Sequence, residues 1–282
     1  MDYMSDIVII GAGAVGTAIA REFSKYQVRV MVVDKRDDVG GDASKSNSSI
    51  ICSGFDCTPG TLESQLCVAS RAMFDRTAEE LDIPFRVCGA IMPAITQEQM
   101  DILPQIYRDA FENHVYDVEY LSAEQIREME PEVSPDVLGG LYIPREGVID
   151  PFLLVVAEAE NASENGVEFL LDAAVTDIKT ENGGIYAVGT TRGTIRTNYV
   201  INAAGLFCDE IAGMAGEGGD FVVKPRKGQF FILDRNTECR TSHIIYPIPT
   251  PETRGKLLLQ TVHGNMLLGP TAEDLEDKED HG

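Results

Sequence analysis

Apolar runs near the start of the chain alternate with a segment of helical spacing. Residues 6–10 and residues 27–33 are almost continuously apolar and β-branched, which is typical of strands buried on both faces of a parallel sheet. Between them, residues 14–25 place their apolar side chains on one face of a helix. The order of strand, helix and strand therefore predicts a β-α-β unit.

Three glycines connect the first predicted strand to the helix with the spacing G-x-G-x-x-G. Gly11 permits the tight turn, Gly13 lets the backbone approach a pyrophosphate, and Gly16 lets the helix pack closely on the strands. The helix N-terminus favours an anion. Asp34, eighteen residues after Gly16, can accept hydrogen bonds from an adenosine ribose. The pattern predicts a dinucleotide site without distinguishing FAD from NAD.

Two later segments favour FAD. Residues 39–51 are small and rich in hydroxyl groups, where an NAD dehydrogenase would continue with short β-α repeats. Residues 199–205 form a second apolar run that ends in small residues, and a helix is predicted over residues 206–214. Both segments are suited to lining a long, flat ligand.

Several helices are predicted by capping residues. Thr61 opens a helix to about residue 81, Ser122 with Gln125 forms a capping box, and Asp150-Pro151 starts a helix that ends at Gly166. A further helix is expected over residues 96–113. In the first of these helices, we expect a core stripe formed by Leu62, Leu66, Ala69, Met73 and Phe74.

Strand patterns dominate the second half of the chain. Apolar runs and turn residues predict one more strand of the main sheet and a small antiparallel meander between residues 167 and 203. After this meander, five short strands are predicted: residues 221–224, 229–234, 244–248, 257–261 and 266–268. Residues 271–282 are acidic and lack an apolar pattern, so we expect a loop there.

Composition narrows the class of protein further. The 282 residues are 44% apolar, and 46 acidic against 23 basic residues give a net charge of −23, which argues against nucleic acid as a partner. The longest uncharged run, residues 7–20, is too short for a transmembrane segment. The six cysteines contain no C-x-x-C pair, so we predict no metal site, reduced thiols and a cytoplasmic location.

The chain resembles the FAD-dependent oxidoreductase superfamily typified by D-amino-acid oxidase. Within it, the resemblance is to the flavin subunit of anaerobic-type glycerol-3-phosphate dehydrogenase and to L-2-hydroxyglutarate oxidase. The motifs that carry the resemblance are residues 9–16, 44–48, 59–61, 147–151, 202–205, 225–229, 246–249, 263–265 and 269–271.

The resemblance implies an α/β fold in which a Rossmann-like FAD-binding domain on a central parallel sheet is interleaved with an α+β substrate domain on an antiparallel sheet. The expected FAD-binding domain comprises residues 1–80 and 146–216, and the substrate domain comprises residues 81–145 and 217–282. The expected FAD contacts are Gly11, Gly13, Ala14, Gly16, Asp34, Lys35, Ala43, Ser44, Ser48, Ser49, Val175, Ala203, Ala204 and Gly205.

The implied reaction is the oxidation of a small anionic secondary alcohol by hydride transfer to flavin. The first candidate substrate is glycerol 3-phosphate, which would be oxidised to dihydroxyacetone phosphate. The alternatives are an L-2-hydroxyglutarate oxidase or dehydrogenase, an amine oxidase of the sarcosine or glycine type, and a non-catalytic flavin-binding fragment. The candidate catalytic residues are Arg226, His243 and Tyr246.

The family pattern also implies partners and a missing segment. An electron-acceptor subunit or a quinone, a homo-oligomer, and attachment to the membrane surface through a partner are compatible with it. Relatives continue for more than a hundred residues, so we expect the chain to be truncated at its C-terminus. Where many relatives have a histidine beside the flavin, this chain has Cys52, for which we expect a buried thiol with a packing role rather than a catalytic change.

Overall fold

The computed structural model describes residues 2–219, 221–250 and 255–280, which form two compact units. The first unit comprises Met1–Asn47, Pro151–Arg226 and Asp274–Gly282, and the second comprises Ser48–Asp150 and Lys227–Glu273. The predicted roles of the two discontinuous domains stay a prediction. Helix Leu62–Glu80, which we expect from the sequence in the FAD-binding domain, belongs to the second unit.

A four-stranded parallel sheet forms the centre of the first unit. Its strands, in spatial order, are Glu168–Leu170, Val30–Val33, Ile7–Ile10 and Tyr199–Asn202. Ile9 pairs with Val32 on one side and with Ile201 on the other. The two central strands are buried along their whole length, as expected for continuous apolar runs with both faces covered.

Each face of this sheet has its own cover. Helices Ala14–Phe23 and Pro151–Glu164 pack on the face that carries Ile7 and Ile9. Helix Cys208–Met214, after the short 3-10 helix Gly205–Phe207, packs on the face that carries Val8 and Ile10. An antiparallel meander covers the same face, with strands Val175–Thr180, Tyr186–Thr190 and Gly193–Thr197, joined in parallel by Asp2–Met4.

The second unit is built on a seven-stranded sheet. Its strands, in spatial order, are Phe231–Leu233, Met266–Gly269, Leu257–Gln260, Ile244–Ile245, Ala90–Ala94, Gly139–Ile143 and Glu119–Ser122. All neighbours are antiparallel except Ile244–Ile245 and Ala90–Ala94. Three further strands, Ile50–Ile51, Gly147–Ile149 and Phe85–Val87, form a small antiparallel sheet. The helices are Leu62–Glu80, Gln97–Glu112 and Ala123–Met129.

The predicted fold class is confirmed, and so are the helix starts. The Thr61 side chain accepts a hydrogen bond from the N–H of Ser64, and Thr96 caps the next helix in the same way. Ser122 and Gln125 form the expected reciprocal capping box. The short-range polar pattern was therefore sufficient to locate these ends.

Other expectations are wrong. Residues 221–224 form no strand, and Phe221 and Val222 are exposed, because this apolar pair has no neighbouring strand to pair with. In the acidic C-terminal stretch, Glu273–Asp274 is a short strand, paired with Arg226–Lys227. The strands Asp2–Met4 and Gly193–Thr197 were not predicted.

The core stripe expected on helix Leu62–Glu80 is confirmed only at Phe74 and is wrong at its other positions. Leu62, Leu66 and Met73 are exposed, whereas Arg71 and Phe74 are buried. Helical spacing identifies residues that share a face, but the covered face is decided by what packs against it. Within the described ranges, no helix combines the length and apolar character needed to cross a membrane.

Candidate functional site

A cavity of about 350 Å³ lies in the first unit, at the carboxyl ends of the parallel strands. Ile10 and Val33, the last residues of the two central strands, line its floor. Open parallel sheets bind ligands at this edge, where the strand order allows a crevice. The predicted cofactor residues that line the cavity are Gly11, Gly13, Ala14, Asp34, Lys35, Ala43, Ser44, Val175, Ala203, Ala204 and Gly205.

The glycine turn is built so that only glycine fits. Gly11 has a φ of +110°, and a Cβ there would lie 2.3 Å from the carbonyl oxygen of Ala203. A Cβ on Gly16 would lie 1.8 Å from the carbonyl oxygen of Gly11, so this residue supports the turn from beneath. A Cβ on Gly13 would lie 2.9 Å from Ser44 Oγ. The turn therefore presents bare backbone to the cavity, as a pyrophosphate requires.

Two side chains from other segments hold this turn. The N–H of Ala14, in the first turn of the helix, donates to Ser44 Oγ at 2.9 Å. Asp34 Oδ2 accepts a hydrogen bond from the N–H of Ala12 at 2.6 Å, and its Oδ1 accepts one from the N–H of Arg36 at 2.8 Å. The carboxylate of Asp34 is thereby fixed at the cavity wall, and its contact with a ribose stays a prediction.

Phe207 and Glu279, which were not predicted, also line this cavity. Lys35 Nζ lies 3.3 Å from the centre of the Phe207 ring and pairs with Glu279, which lines the cavity. Arg36 pairs with the same carboxylate at 2.9 Å. Nothing in the sequence indicated that Glu279 lines the cavity, because an acidic stretch without apolar spacing resembles a solvated loop.

The two remaining cofactor candidates, Ser48 and Ser49, belong to the second unit. Ser49 is buried and has a φ of +61°, which is uncommon for a residue with a side chain. Its carbonyl oxygen accepts a hydrogen bond from the N–H of Ile149 at 2.9 Å. Their predicted contact with FAD stays a prediction.

A buried polar cluster in the second unit was missed by the sequence analysis. Glu146 is fully buried, and its Oε1 accepts hydrogen bonds from Ser53 N–H at 2.7 Å and from Ser53 Oγ at 2.6 Å. Its Oε2 accepts a hydrogen bond from the Tyr246 hydroxyl at 2.8 Å. Burial raises the pKa of the Glu146 carboxyl, and the hydrogen bonds from Ser53 and Tyr246 oppose that rise.

The structure places His243 and Tyr246 on opposite faces of the seven-stranded sheet. His243 makes an edge-on contact with Tyr142, which packs near Ile245, whereas Tyr246 packs near Ile244. Alternation of side chains along a strand separates two residues that are three positions apart in this way. The predicted pair is therefore not brought together at one site.

His243 has a buried partner of its own. Its Nδ1 lies 2.8 Å from Oε1 of Glu130, which is 2% exposed and also accepts hydrogen bonds from the backbone N–H groups of Ser242 and His243. Arg226, in the first unit, forms two hydrogen bonds with the carboxylate of Asp274, at 2.6 and 3.0 Å. Cys52 is an exposed residue, although burial of its thiol group raises the pKa of that thiol, and its expected packing role stays a prediction.

Comparison with known proteins places the chain in a family. The family model "FAD dependent oxidoreductase" (DAO) matches residues 6–282. A glycerol 3-phosphate dehydrogenase of Caloramator mitchellensis is 40% identical over 98% of this chain and 57% of its own length. An L-2-hydroxyglutarate dehydrogenase of Escherichia coli O17:K52:H18 is 27% identical over 95% of this chain and 64% of its own length.

The fold also matches a solved structure with its cofactor. A dithionite-reduced L-α-glycerophosphate oxidase of Mycoplasma pneumoniae, with FAD bound, superposes with a TM-score of 0.93 at 28% identity, covering 98% of this chain and 73% of that one. The chain thus spans between about half and three quarters of the length of these relatives. Among the described residues, no cluster of three His, Cys, Asp or Glu side chains could hold a metal ion.

Proposed function

Because this chain belongs to the DAO family of FAD-dependent oxidoreductases, we propose that it binds FAD in the glycine-turn cavity and oxidises glycerol 3-phosphate to dihydroxyacetone phosphate. The observation that carries the proposal is the turn itself. Gly11 and Gly13 line the cavity at a helix N-terminus, where a Cβ would collide with the Ala203 carbonyl oxygen or with Ser44 Oγ, and a Cβ on Gly16 would collide with the carbonyl oxygen of Gly11. This cradle fits the pyrophosphate of FAD.

Different residues of the cavity bind different parts of FAD. The backbone of Gly13 and Ala14 faces the pyrophosphate, and Asp34 accepts hydrogen bonds from the adenosine ribose. The apolar wall formed by Val175 and Ala203 excludes water from the ligand. When bound, the flavin supplies the acceptor for the hydride that leaves the carbinol carbon of the substrate.

Among the candidate catalytic residues, we propose Tyr246 as the group that contacts the substrate hydroxyl. Its hydroxyl donates a hydrogen bond to the buried carboxylate of Glu146 at 2.8 Å, and the residue is partly exposed. The roles of His243 and Arg226 in orienting the anionic group of the substrate stay predictions. The carboxylate partners of both side chains, Glu130 and Asp274, would need to be displaced or shared for that role.

The proposal is tested with the purified protein in the absence of oxygen. A visible spectrum reports whether flavin is bound, and its bleaching after addition of glycerol 3-phosphate reports oxidation of the substrate. L-2-hydroxyglutarate, glycine and sarcosine are added in parallel samples. Bleaching by glycerol 3-phosphate supports the proposal, and a yellow protein that only another compound bleaches contradicts it.

L-2-hydroxyglutarate is the second candidate substrate. It is favoured by the similarity of this chain to the E. coli L-2-hydroxyglutarate dehydrogenase, which covers nearly the whole chain. Both candidates are secondary alcohols with an anionic group. An electron-acceptor subunit or a quinone and a homo-oligomer are further proposals, and the six free cysteines support a cytoplasmic location.

A further inference from the structure

Three of the six cysteines lie close together in the second unit. Cys52 and Cys57 belong to the loop that follows strand Ile50–Ile51, and Cys67 belongs to helix Leu62–Glu80. All three are free, and Cys57 is buried whereas Cys67 is partly exposed. A group of thiols differs from a single cysteine, because two neighbouring sulfur atoms can be oxidised to a disulfide.

The loop that carries Cys57 lies directly against the helical turn that carries Cys67. Gly54 has a φ of +87°, and a Cβ there would lie 3.2 Å from Cys67 Cβ and 3.0 Å from Val68 Cγ2. The N–H of Cys57 lies 3.4 Å from the carbonyl oxygen of Gly54, and this bond closes a tight turn of four residues. The turn therefore brings Cys57 back to the place where loop and helix touch.

The side chain of Asn113 holds this turn. Its Nδ2 donates to the carbonyl oxygen of Gly54 at 3.0 Å and to that of Cys57 at 2.7 Å, and the residue is almost completely buried. Asn113 follows helix Gln97–Glu112, so a third segment of the unit fixes the loop. A disulfide requires a narrow range of distances between the two cysteines, and a loop held at both ends of a turn keeps Cys57 within such a range.

The side chains of Cys57 and Cys67 also meet. The two thiols are joined by a hydrogen bond, and burial followed by the Cys67 thiol raises the pKa of Cys57. Cys52 is near the same sulfur, but its own thiol is hydrogen-bonded with Tyr246. Of the two loop cysteines, Cys57 is therefore the one placed to bond with Cys67.

We propose that Cys57 and Cys67 form a reversible disulfide, which makes the second unit a target for small disulfides. Cys67 reacts first because it is partly exposed, and the buried Cys57 then displaces the small thiol. The few disulfides of cytoplasmic proteins are usually of this transient, redox-sensing kind. The inference goes beyond the proposed function and does not depend on the substrate.

The exchange balances in two steps. The Cys67 thiolate attacks one sulfur of a small disulfide, whose S–S bond breaks, and one small thiolate leaves. The Cys57 thiolate then attacks the Cys67 sulfur, the mixed S–S bond breaks, and the second small thiolate leaves. The protein loses two electrons and two protons, and the small disulfide is reduced to two thiols.

The test uses the purified protein and oxidised glutathione as the small disulfide. Samples are quenched with acid, alkylated with N-ethylmaleimide in denaturant, digested and analysed by mass spectrometry. Trypsin leaves residues 46–71 as one fragment that contains all three cysteines. A protease that cleaves after acidic residues then cuts at Asp56 and Glu63, which puts each cysteine in a separate peptide and identifies the linked pair.

We expect about nine-tenths of this fragment to carry a bond between Cys57 and Cys67, and dithiothreitol to restore both thiols. A mixed disulfide on Cys67 should appear first. Its conversion should accelerate about tenfold per pH unit from pH 7 to 9, because the raised pKa of Cys57 keeps its thiolate scarce. The circular dichroism spectrum should not change, since the bond forms where the segments already touch.

Single substitutions separate the two thiols. Cys57→Ala should stop at the glutathione adduct of Cys67, and Cys67→Ser should leave Cys57 unmodified because it is buried. Cys52→Ser and Cys239→Ser, which remove exposed residues of the same unit, are the matched controls and should form the disulfide as the unsubstituted protein does.

Several results would overturn the proposal. One is a glutathione adduct on Cys67 that persists while Cys57 stays free, and another is no reaction at Cys67. Linkage of Cys67 to Cys52, or loss of the disulfide in Cys52→Ser, would assign the exchange to another pair. A disulfide that forms only together with a loss of the native circular dichroism spectrum would belong to the unfolded chain.

Discussion

Glu158 Oε2 accepts a hydrogen bond from Thr17 Oγ1 at 2.8 Å, and both side chains are buried. Thr17 lies in helix Ala14–Phe23, which follows the glycine turn, and Glu158 lies in helix Pro151–Glu164, which packs beside it. The bond links residues 141 positions apart in the chain. It therefore ties the helix that begins at the cofactor cavity to the helix that follows the insertion of the second unit.

The burial of Glu158 makes stability depend on pH. Burial raises the pKa of Glu158 from 4.5 to about 7. Between these values, the unfolded chain loses the proton while the folded protein keeps it, so the stabilisation is complete below pH 4.5 and is lost as the pH rises through 7. We expect Glu158→Gln, which keeps an acceptor for Thr17, to be more stable than the unsubstituted protein at pH 8 by about 3 kcal/mol.

Urea unfolding of both proteins at pH 5, 6, 7 and 8 measures this difference. The difference in the free energy of unfolding should be smallest at pH 5 and should level off above pH 7. A difference that does not vary with pH would show that Glu158 is ionised throughout. Glu164→Gln, on the exposed end of the same helix, is the control and should leave the pH dependence unchanged.

The second prediction concerns the glycine turn. In Gly11→Ala, a methyl group would lie 2.3 Å from the Ala203 carbonyl oxygen at a φ of +110°, so the strand ends must move apart and the cavity must change shape. We expect purified Gly11→Ala to retain less than a tenth of the flavin of the unsubstituted protein. Absorbance at 450 nm relative to 280 nm provides the measurement.

Gly213→Ala is the matched control for that substitution. Gly213 lies in helix Cys208–Met214, near but not lining the cavity, and a Cβ there would meet no atom within 4 Å. Alanine is the better helix former, so Gly213→Ala should keep its flavin and gain about 0.5–1 kcal/mol in stability. Equal flavin loss in both variants would mean that the close approach at Gly11 is not what shapes the site.

The parallel sheet and the glycine turn could be predicted because their signals are local. Each central strand is a continuous apolar run, and the glycine motif of residues 11–16 comes directly after the first of these strands in the chain. The residues that the sequence did not indicate are held by distant partners. Glu146 meets Ser53 across 93 positions and Tyr246 across 100, and nothing near it in the chain distinguishes it from a surface carboxylate.

The dependence on distant partners also explains why the buried face of helix Leu62–Glu80 was predicted wrongly. Leu62, Leu66 and Met73 share a helical face, and spacing alone could not indicate that the opposite face, with Arg71, is the covered one. Arg71 is accommodated because its Nε donates to the carbonyl oxygen of Arg145 at 2.6 Å and its Nη1 pairs with Asp75. A buried arginine with this many partners has no separate signal in a hydrophobic pattern.

The third prediction concerns Asp34. Its two oxygens accept backbone hydrogen bonds from Ala12 and Arg36, so the carboxylate is oriented before any ligand arrives. In Asp34→Asn, an amide N–H₂ group replaces one of these acceptors and the charge at the ribose position is lost. We expect the Kd for FAD to rise by about 10- to 100-fold, equivalent to about 1.4–2.7 kcal/mol.

Fluorescence quenching of FAD by the apoprotein measures that Kd. Asp37→Asn, three residues further and exposed, is the control and should bind FAD as the unsubstituted protein does. An unchanged Kd in Asp34→Asn would contradict the assignment of this carboxylate to the adenosine ribose.

The last prediction concerns Glu279, whose carboxylate lines the cavity and pairs with both Lys35 and Arg36. FAD carries two phosphate charges, so a carboxylate at the cavity opposes its binding and also occupies two cations that would otherwise attract it. Glu279→Gln should therefore bind FAD about 3- to 10-fold more tightly at low salt, and the gain should nearly vanish in about 1 M NaCl, where the screening length falls to about 3 Å. Glu276→Gln, an exposed neighbour that does not line the cavity, removes the same charge and serves as the control. Equal gains in both variants would assign the effect to net charge alone, and weaker binding in Glu279→Gln would mean that this carboxylate holds Lys35 and Arg36 in the positions that the cofactor needs.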